Sequence, residues 1–405
     1  MNQRVWWWVG GGAIVIAFLW FATFALRNPS NDSTNDATGL AVESSPQVRP
    51  RPTAIAEETP ATDFTSSESG AFTNAADIYR RAFKLVDELG RSNQALLANW
   101  TTNLDEAVRA ELCEKIRPIC DLMREAAVVT NCDWGIVQHT IKTAVPFLGS
   151  ARNLARVGIW SAANCQEDSA AASDDLVASL QVGRQVDQHG LIGYLVDMAI
   201  ETLTLACVSS NLFRFSASDR ERMAVIIEDP SLSELPGRAV QMESEMLERY
   251  LAELAAKPVS EANEELANII SFSEDNVPHV DFPTAMVAFK QVIAVQRELV
   301  EALASPEKYD EWYRHYTEVK ASSPIAKLSL DVYEIWVDKV RRYAANRAIV
   351  LAALAVASGG VDALAAHVDP TTGESLGYRQ ISGGFELQSE YKVNDKPMKV
   401  FFPMP

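Results

Sequence analysis

The chain has 405 residues, a net charge of −18 and 48% hydrophobic residues. A field of that sign repels phosphate backbones and sets nucleic acid aside as a partner. Its five cysteines, Cys113, Cys120, Cys132, Cys165 and Cys207, are odd in number and spread over some 95 residues, which excludes a dense disulfide framework.

In chain order the first element is Val5–Leu26, 22 residues without a charge, bracketed by Arg4 and Arg27. As a helix it measures about 33 Å, enough to cross a hydrocarbon core of roughly 30 Å. Trp6, Trp7 and Trp8 at its start suit the interfacial aromatic belt, and Trp20 and Phe21 belong to the same anchor. A cleaved signal peptide has a shorter apolar stretch, about 7–15 residues, ending in an A-x-A-like site. Thr23-Phe24-Ala25 matches that poorly. Residues 1–26 therefore read as a single transmembrane signal-anchor. Arg4 and the terminal amine keep the short side in the cytoplasm. This predicts a single-pass protein of the inner (cytoplasmic) membrane with the bulk of the chain extracytoplasmic, in the periplasm.

Residues 27–72 are rich in Ser, Thr, Pro, Asn and Asp and poor in large apolar groups. Such a segment buries too little surface to offset its ordering entropy, and it reads as a disordered linker. As a coil its 46 residues span roughly 40 Å root-mean-square. With Arg4 alone in 1–26, and three arginines against seven acidic residues in 27–72, the remaining chain carries −15.

Residues 73–368 read as an α-helical domain. Ile78, Phe83, Leu85, Val86 and Leu89 form an apolar helical stripe that Gly90 ends. Asn103 with Glu106 opens a helix over 104–130, which Pro118 either kinks or divides in two. Asn131-Cys132-Asp133-Trp134-Gly135 reads as a turn with an aromatic plug; Trp134 and Trp160 are expected in the core. Helices near 145–164, 169–188 and 190–213 are joined by short loops, which force antiparallel neighbours. This stacking resembles tetratricopeptide-like arrays, without their 34-residue signature. Ser218-Asp219-Arg220-Glu221 reads as a capping box. Further helices are expected at 236–256, 260–271, 284–304, 306–321 and 326–357, with Ser305 capping and Pro306 in the first helical position of the fourth. Residues 369–405 alternate around the turn clusters Ser382-Gly383-Gly384 and Asn394-Asp395, predicting a small antiparallel β meander of three strands. The fold class is thus mainly α.

Three stretches carry a family resemblance. They are Asn131–Gly135; Leu154-Ala155-Arg156 with Asp175-Leu176 and Gly183-Arg184-Gln185-Val186; and Asp369-Pro370-Thr371-Thr372-Gly373-Glu374-Ser375-Leu376-Gly377-Tyr378-Arg379. Together they resemble uncharacterised membrane-anchored helical proteins of planctomycete-type bacteria, which end in a "DPFTGxPLxYR" element and a β hairpin. The resemblance spans most of 75–392 and implies a location and a fold, but no activity. Two departures stand out. Leu351–His367 lacks the usual "G-x-x-P-x-x-L" step, and the tail runs on to Pro405. The tail is also similar to that of type II secretion pseudopilins, but Val5–Leu26 lacks the Glu that the pilin-type start requires.

Catalytic signatures are missing. The histidines His139, His189, His279, His315 and His367 stand in no ligand spacing, and there is no CxxC, GxSxG or Walker loop, so neither a cofactor nor a metal is expected. Cys113 and Cys120, seven residues apart on one helix, lie about 10 Å apart and cannot bridge. In an oxidising compartment a pair across neighbouring helices, such as Cys132 with Cys165, is open. The acidic pairs Asp174/Asp175, Glu243/Glu245 and Glu264/Glu265 read as solvated helix faces. Arg184 and Glu201, each within an apolar helical stretch, are expected to form a structural ion pair across the turn at His189-Gly190. The reading this supports is a membrane-tethered scaffold that binds another envelope protein. The alternatives are a component of a pseudopilin-like secretion or assembly system, and an enzyme whose site no motif reveals.

Overall fold

The computed structural model describes residues 74–404, apart from 137–139, 142, 144, 187–188, 272–279 and 305–307. The expected anchor (Trp6, Trp7, Trp8, Trp20 and Phe21 included), the linker and the Ser305-Pro306 cap lie outside the described residues. What is described is mainly helical, with a small antiparallel sheet at the C-terminal end.

Helix α1 spans Ala75–Glu88 and buries Ile78, Tyr79, Ala82, Phe83 and Val86. Asn74 caps it by accepting the Ala76 N–H at 3.1 Å. The same side chain exchanges two 2.8 Å bonds with the Asp133 backbone, so the Asn131–Gly135 turn is tied to the start of α1. Gly90, at φ +74°, breaks the helix as expected, and a second one, α2 (Gly90–Leu97), follows at once.

Helix α3 runs unbroken from Glu106 to Ala127 with Pro118 inside it, capped by Asp105 rather than by Asn103. Two features resolve the choice that Pro118 posed. The stripe Leu112, Ile116, Ile119, Cys120 and Met123 is buried along the whole helix, while Pro118 and Glu114, whose carbonyl loses its partner, face solvent.

Helices α4 (Leu148–Asn164), α5 (Ser169–Arg184) and α6 (Gly190–Ser210) follow with the short connections the sequence predicts. Gly158 is where α3, α4 and α5 meet most closely: a Cβ there would stand 2.3 Å from the Met123 methyl and 2.4 Å from the Ser179 hydroxyl. Helix α6 feeds three separate cores. Leu191, Tyr194 and Met198 enter the first, Val196 and Ile200 the second, and Leu205, Cys207 and Val208 the third. A helix that is apolar on every side belongs in an interior. Among the described residues it is the one helix long and apolar enough to cross a membrane, and 67% of its apolar window is buried in the protein.

Helix α7 (Ala217–Ile227) carries a capping box, made by Ser216 and Asp219 and not by the Ser218 register. Helices α8 (Leu235–Ala255), α9 (Val259–Ser271), α10 (Phe282–Ala304) and α11 (Tyr309–Ser322) build the first core. Helix α12 (Pro324–Gly359) leaves it after Tyr343 and continues into the third with Ile349, Val350 and Leu354.

The sheet order is β1-β2-β3, over Gly377–Ile381, Gly384–Val393 and Lys396–Pro403. Tyr378 faces Leu387, and Phe385 faces Phe402. Phe385, Leu387 and Phe402 sit in the third core with the end of α12. Asn394 and Asp395 both have positive φ, 51° and 61°, as a two-residue hairpin turn of the primed type requires.

A disulfide joins Cys113 to Cys165, with Cα atoms 5.5 Å apart. The Cys132–Cys165 alternative is thereby corrected. Cys113 lies in the first half of α3, beside the C-terminal end of α4 where Cys165 sits. Cys132 lies past the other end of α3, about 20 Å of helix away. Cys120 and Cys207 are buried thiols, as small hydrophobes are.

Candidate functional site

The polar residues singled out in the sequence fall mostly into structural clasps. Arg184 and Glu201 do not pair with each other. Gly183 packs against Asp197, so Glu201 stands about one helical turn, roughly 6 Å, beyond the level of Arg184. Arg184 instead donates to the Ile226 carbonyl and stands 4.0 Å from Asp229. Glu201, 1% exposed, lies 3.8 Å from Arg347 on α12. Arg347 also donates through Nε to the Ile227 carbonyl at 2.6 Å. Two guanidinium groups thus meet the carboxyl end of α7, where orphan carbonyls and the helix dipole favour cations. Burial pushes the Glu201 carboxyl upward, and Arg347, Tyr343 and Arg184 act against that rise.

Asp175 corrects the reading of Asp174/Asp175 as a solvated pair. Asp174 bonds Arg222 near the surface, but Asp175 is fully buried and accepts from Arg124 at 2.7 Å and Gln166 at 3.1 Å. One helical position moves a residue about 100° around the axis, so adjacent carboxylates on α5 face different surroundings.

The Asp369–Gly373 motif is a second clasp. Burial opposes ionisation of Asp369, but hydrogen bonds outweigh it and hold its carboxyl below the usual range. The donors are the Ser389 hydroxyl at 2.5 Å, the Thr371 hydroxyl at 2.6 Å and the Thr371 and Glu390 N–H groups at 2.8 and 3.0 Å. Gly373, at φ +76°, closes the loop by donating to the Asp369 carbonyl at 2.7 Å. The motif therefore fastens the chain before β1 to strand β2.

Among the described residues no cluster of His, Cys, Asp and Glu can hold a metal. His315 meets Glu298 at the surface at 2.7 Å, and His189 packs edge-on to Phe147. His139 and His279 lie outside the described residues.

One further feature was not among the sequence candidates. It is a groove of about 530 Å³ between α11 and α12, lined by Tyr309, Tyr313, Glu334, Ile335, Asp338 and Arg341. On α12 the last four recur at helical spacing and share one face. On α11 a run of rings, Tyr309, Trp312, Tyr313 and Tyr316, stacks at centroid separations of 5.1–6.3 Å. Trp312 and Tyr316 point into the core, whereas Tyr313 is 43% and Ile335 51% exposed. Strand β2 closes one end. Tyr391 donates to the Asp338 carboxylate, and the Arg341 guanidinium lies 5.0 Å from the Tyr309 ring and 5.9 Å from that of Tyr391. Lys320 closes the other end by bonding Asp331 at 2.8 Å and Glu334 at 2.6 Å. Both cations at the groove thus have partners, and its mouth presents an exposed ring and an exposed aliphatic group flanked by Glu334, which also accepts from Lys320, and Asp338, which also accepts from Tyr391.

Comparison of the chain with family models, with curated proteins and with solved structures returns no match.

Proposed function

We propose that this chain is a membrane-tethered helical scaffold of the cell envelope that binds another protein through the α11–α12 groove. Residues 1–26 anchor it in the inner membrane, residues 27–72 act as the spacer, and the helices stack in the tetratricopeptide-like manner to present the groove. The observation that carries the reading is the pairing of exposed Tyr313 and Ile335 with Glu334 and Asp338 on a strongly acidic chain. That combination fits a partner segment carrying a Lys or Arg beside an apolar side chain, with the cation over the Tyr313 ring. The Cys113–Cys165 disulfide supports the extracytoplasmic orientation, since such bonds persist in oxidising compartments. The family resemblance of the Asp369–Arg379 stretch points to the same location.

A photo-crosslinking residue placed at position 313 of the full chain, in its own membranes, tests the proposal. The expected result is one dominant adduct, mapped to a Lys/Arg-containing segment of an envelope protein and lost with Ile335→Asp. Adducts indistinguishable from those at Val128, exposed on another face, would contradict it.

A further inference from the structure

We propose that a second, half-open pocket, lined by α1, α2 and α4, binds a small organic carboxylate, with the acid group on Arg156 and the apolar body against Val86, Leu97 and Val157.

The pocket holds about 300 Å³, and its charged lining residues are Arg91 and Arg156. It is a basic site on an acidic molecule. Arg156 lies on the inner face of α4, and its Nε is shut off from solvent without a hydrogen-bond partner. Among the described residues no carboxylate reaches it. The charge that acts on it is another cation, Arg152, one turn earlier on the same helix. Burial first, and then Arg152, push its pKa down to about 10, so the guanidinium remains charged at neutral pH. A half-buried cation without a counter-ion is costly unless an anion supplies one.

The rest of the lining selects among anions. Val86, Leu97 and Val157 supply apolar wall, and Ala95 sits at the exposed edge on α2. A guanidinium offers a planar fork that fits a carboxylate by two parallel bonds. The polar remainder of the lining is two amides, Gln94, whose N–H group already donates to the Val86 carbonyl at 2.8 Å, and Asn153. One inner fork beside an apolar wall suits a monoanion with a short hydrocarbon body, and phosphate serves as the competing anion in the test. Arg91, exposed on the rim, closes over the acid from the solvent side.

Calorimetric titration of the full chain in detergent with sodium valerate, valeramide and inorganic phosphate tests this. Valerate should bind saturably and the other two should not. Arg156→Met should weaken valerate binding about tenfold or more. Ala95→Trp, which fills the pocket without touching its charge, should abolish binding, and it decides the matter should Arg156→Met fail to fold. Valeramide binding as well as valerate, phosphate binding as tightly and with the same dependence on Arg156, or no saturable heat up to ~10 mM valerate would each overturn the proposal.

Discussion

Arg347 holds two positions at once: it offsets the buried Glu201 carboxylate and satisfies the Ile227 carbonyl at the end of α7. Removing it leaves a charge and a carbonyl unpaired in the interior. Arg347→Met should therefore cost about 3–5 kcal/mol in urea unfolding, and adding Glu201→Leu should recover part of that loss. Glu243 gives a pH test. It accepts the Leu191 N–H at the start of α6, and burial pushes its carboxyl up to about 7. A folded pKa above the unfolded value of 4.5 means stability that is fully present below pH 4.5 and lost as pH rises through 7. Glu243→Gln keeps the acceptor and removes the titration. It should raise the thermal midpoint at pH 8 by a few degrees, about 1 kcal/mol, and leave it unchanged at pH 4.5. Equal shifts at both values would remove Glu243 as the cause. At this scale the sequence was informative about the burial of Arg184 and Glu201, silent about their partners, and wrong about Asp175 and Glu243, which it read as members of solvated pairs and which packing against α3 and α6 shields. Arg184 and Glu201 are interior polar groups, as their apolar neighbours indicate. However, the partner of Glu201 lies 146 positions further along the chain, and no local spacing points to it.

Element boundaries follow closely from local chemistry. Helices α4 to α6 and α8 to α12 begin and end within a few residues of where caps, glycines and prolines place them, and the primed turn at Asn394-Asp395 fixes the β2–β3 hairpin. The failures are also physical. The Ser218 register failed because Ser216, two residues earlier, already has the extended backbone an N-cap needs. The disulfide was missed because the choice among cysteines depends on which ends of α3 and α4 lie together. Two element-scale changes test the packing. Cys113→Ser should lower stability by roughly 2–4 kcal/mol, and the wild-type chain should lose a similar amount under reductant. Gly158→Ala must displace Met123 and Ser179 and approach the Asp175 carbonyl at 3.1 Å. It should cost about 1–3 kcal/mol, whereas alanine at Gly149, with open space around it, should not.

Among the described residues, three apolar clusters are joined by helices that serve more than one: α4 and α5 link the second and third, α12 the first and third, and α6 all three. The candidate groove depends on this connectivity, since its walls come from α11 and α12 and its end from β2, some 50 residues further on. That is why it was not legible in the sequence. Tyr313 and Ile335 each look like ordinary helix residues until the hairpin brings Tyr391 against Asp338. The placement of this surface outside the cytoplasm is the central claim, and protease access tests it most directly. Proteinase K added to spheroplasts should cut within residues 27–72 and release a domain whose Cys113 and Cys165 are already joined. A chain that stays intact in spheroplasts, is cut only after lysis and carries both thiols free would contradict the account.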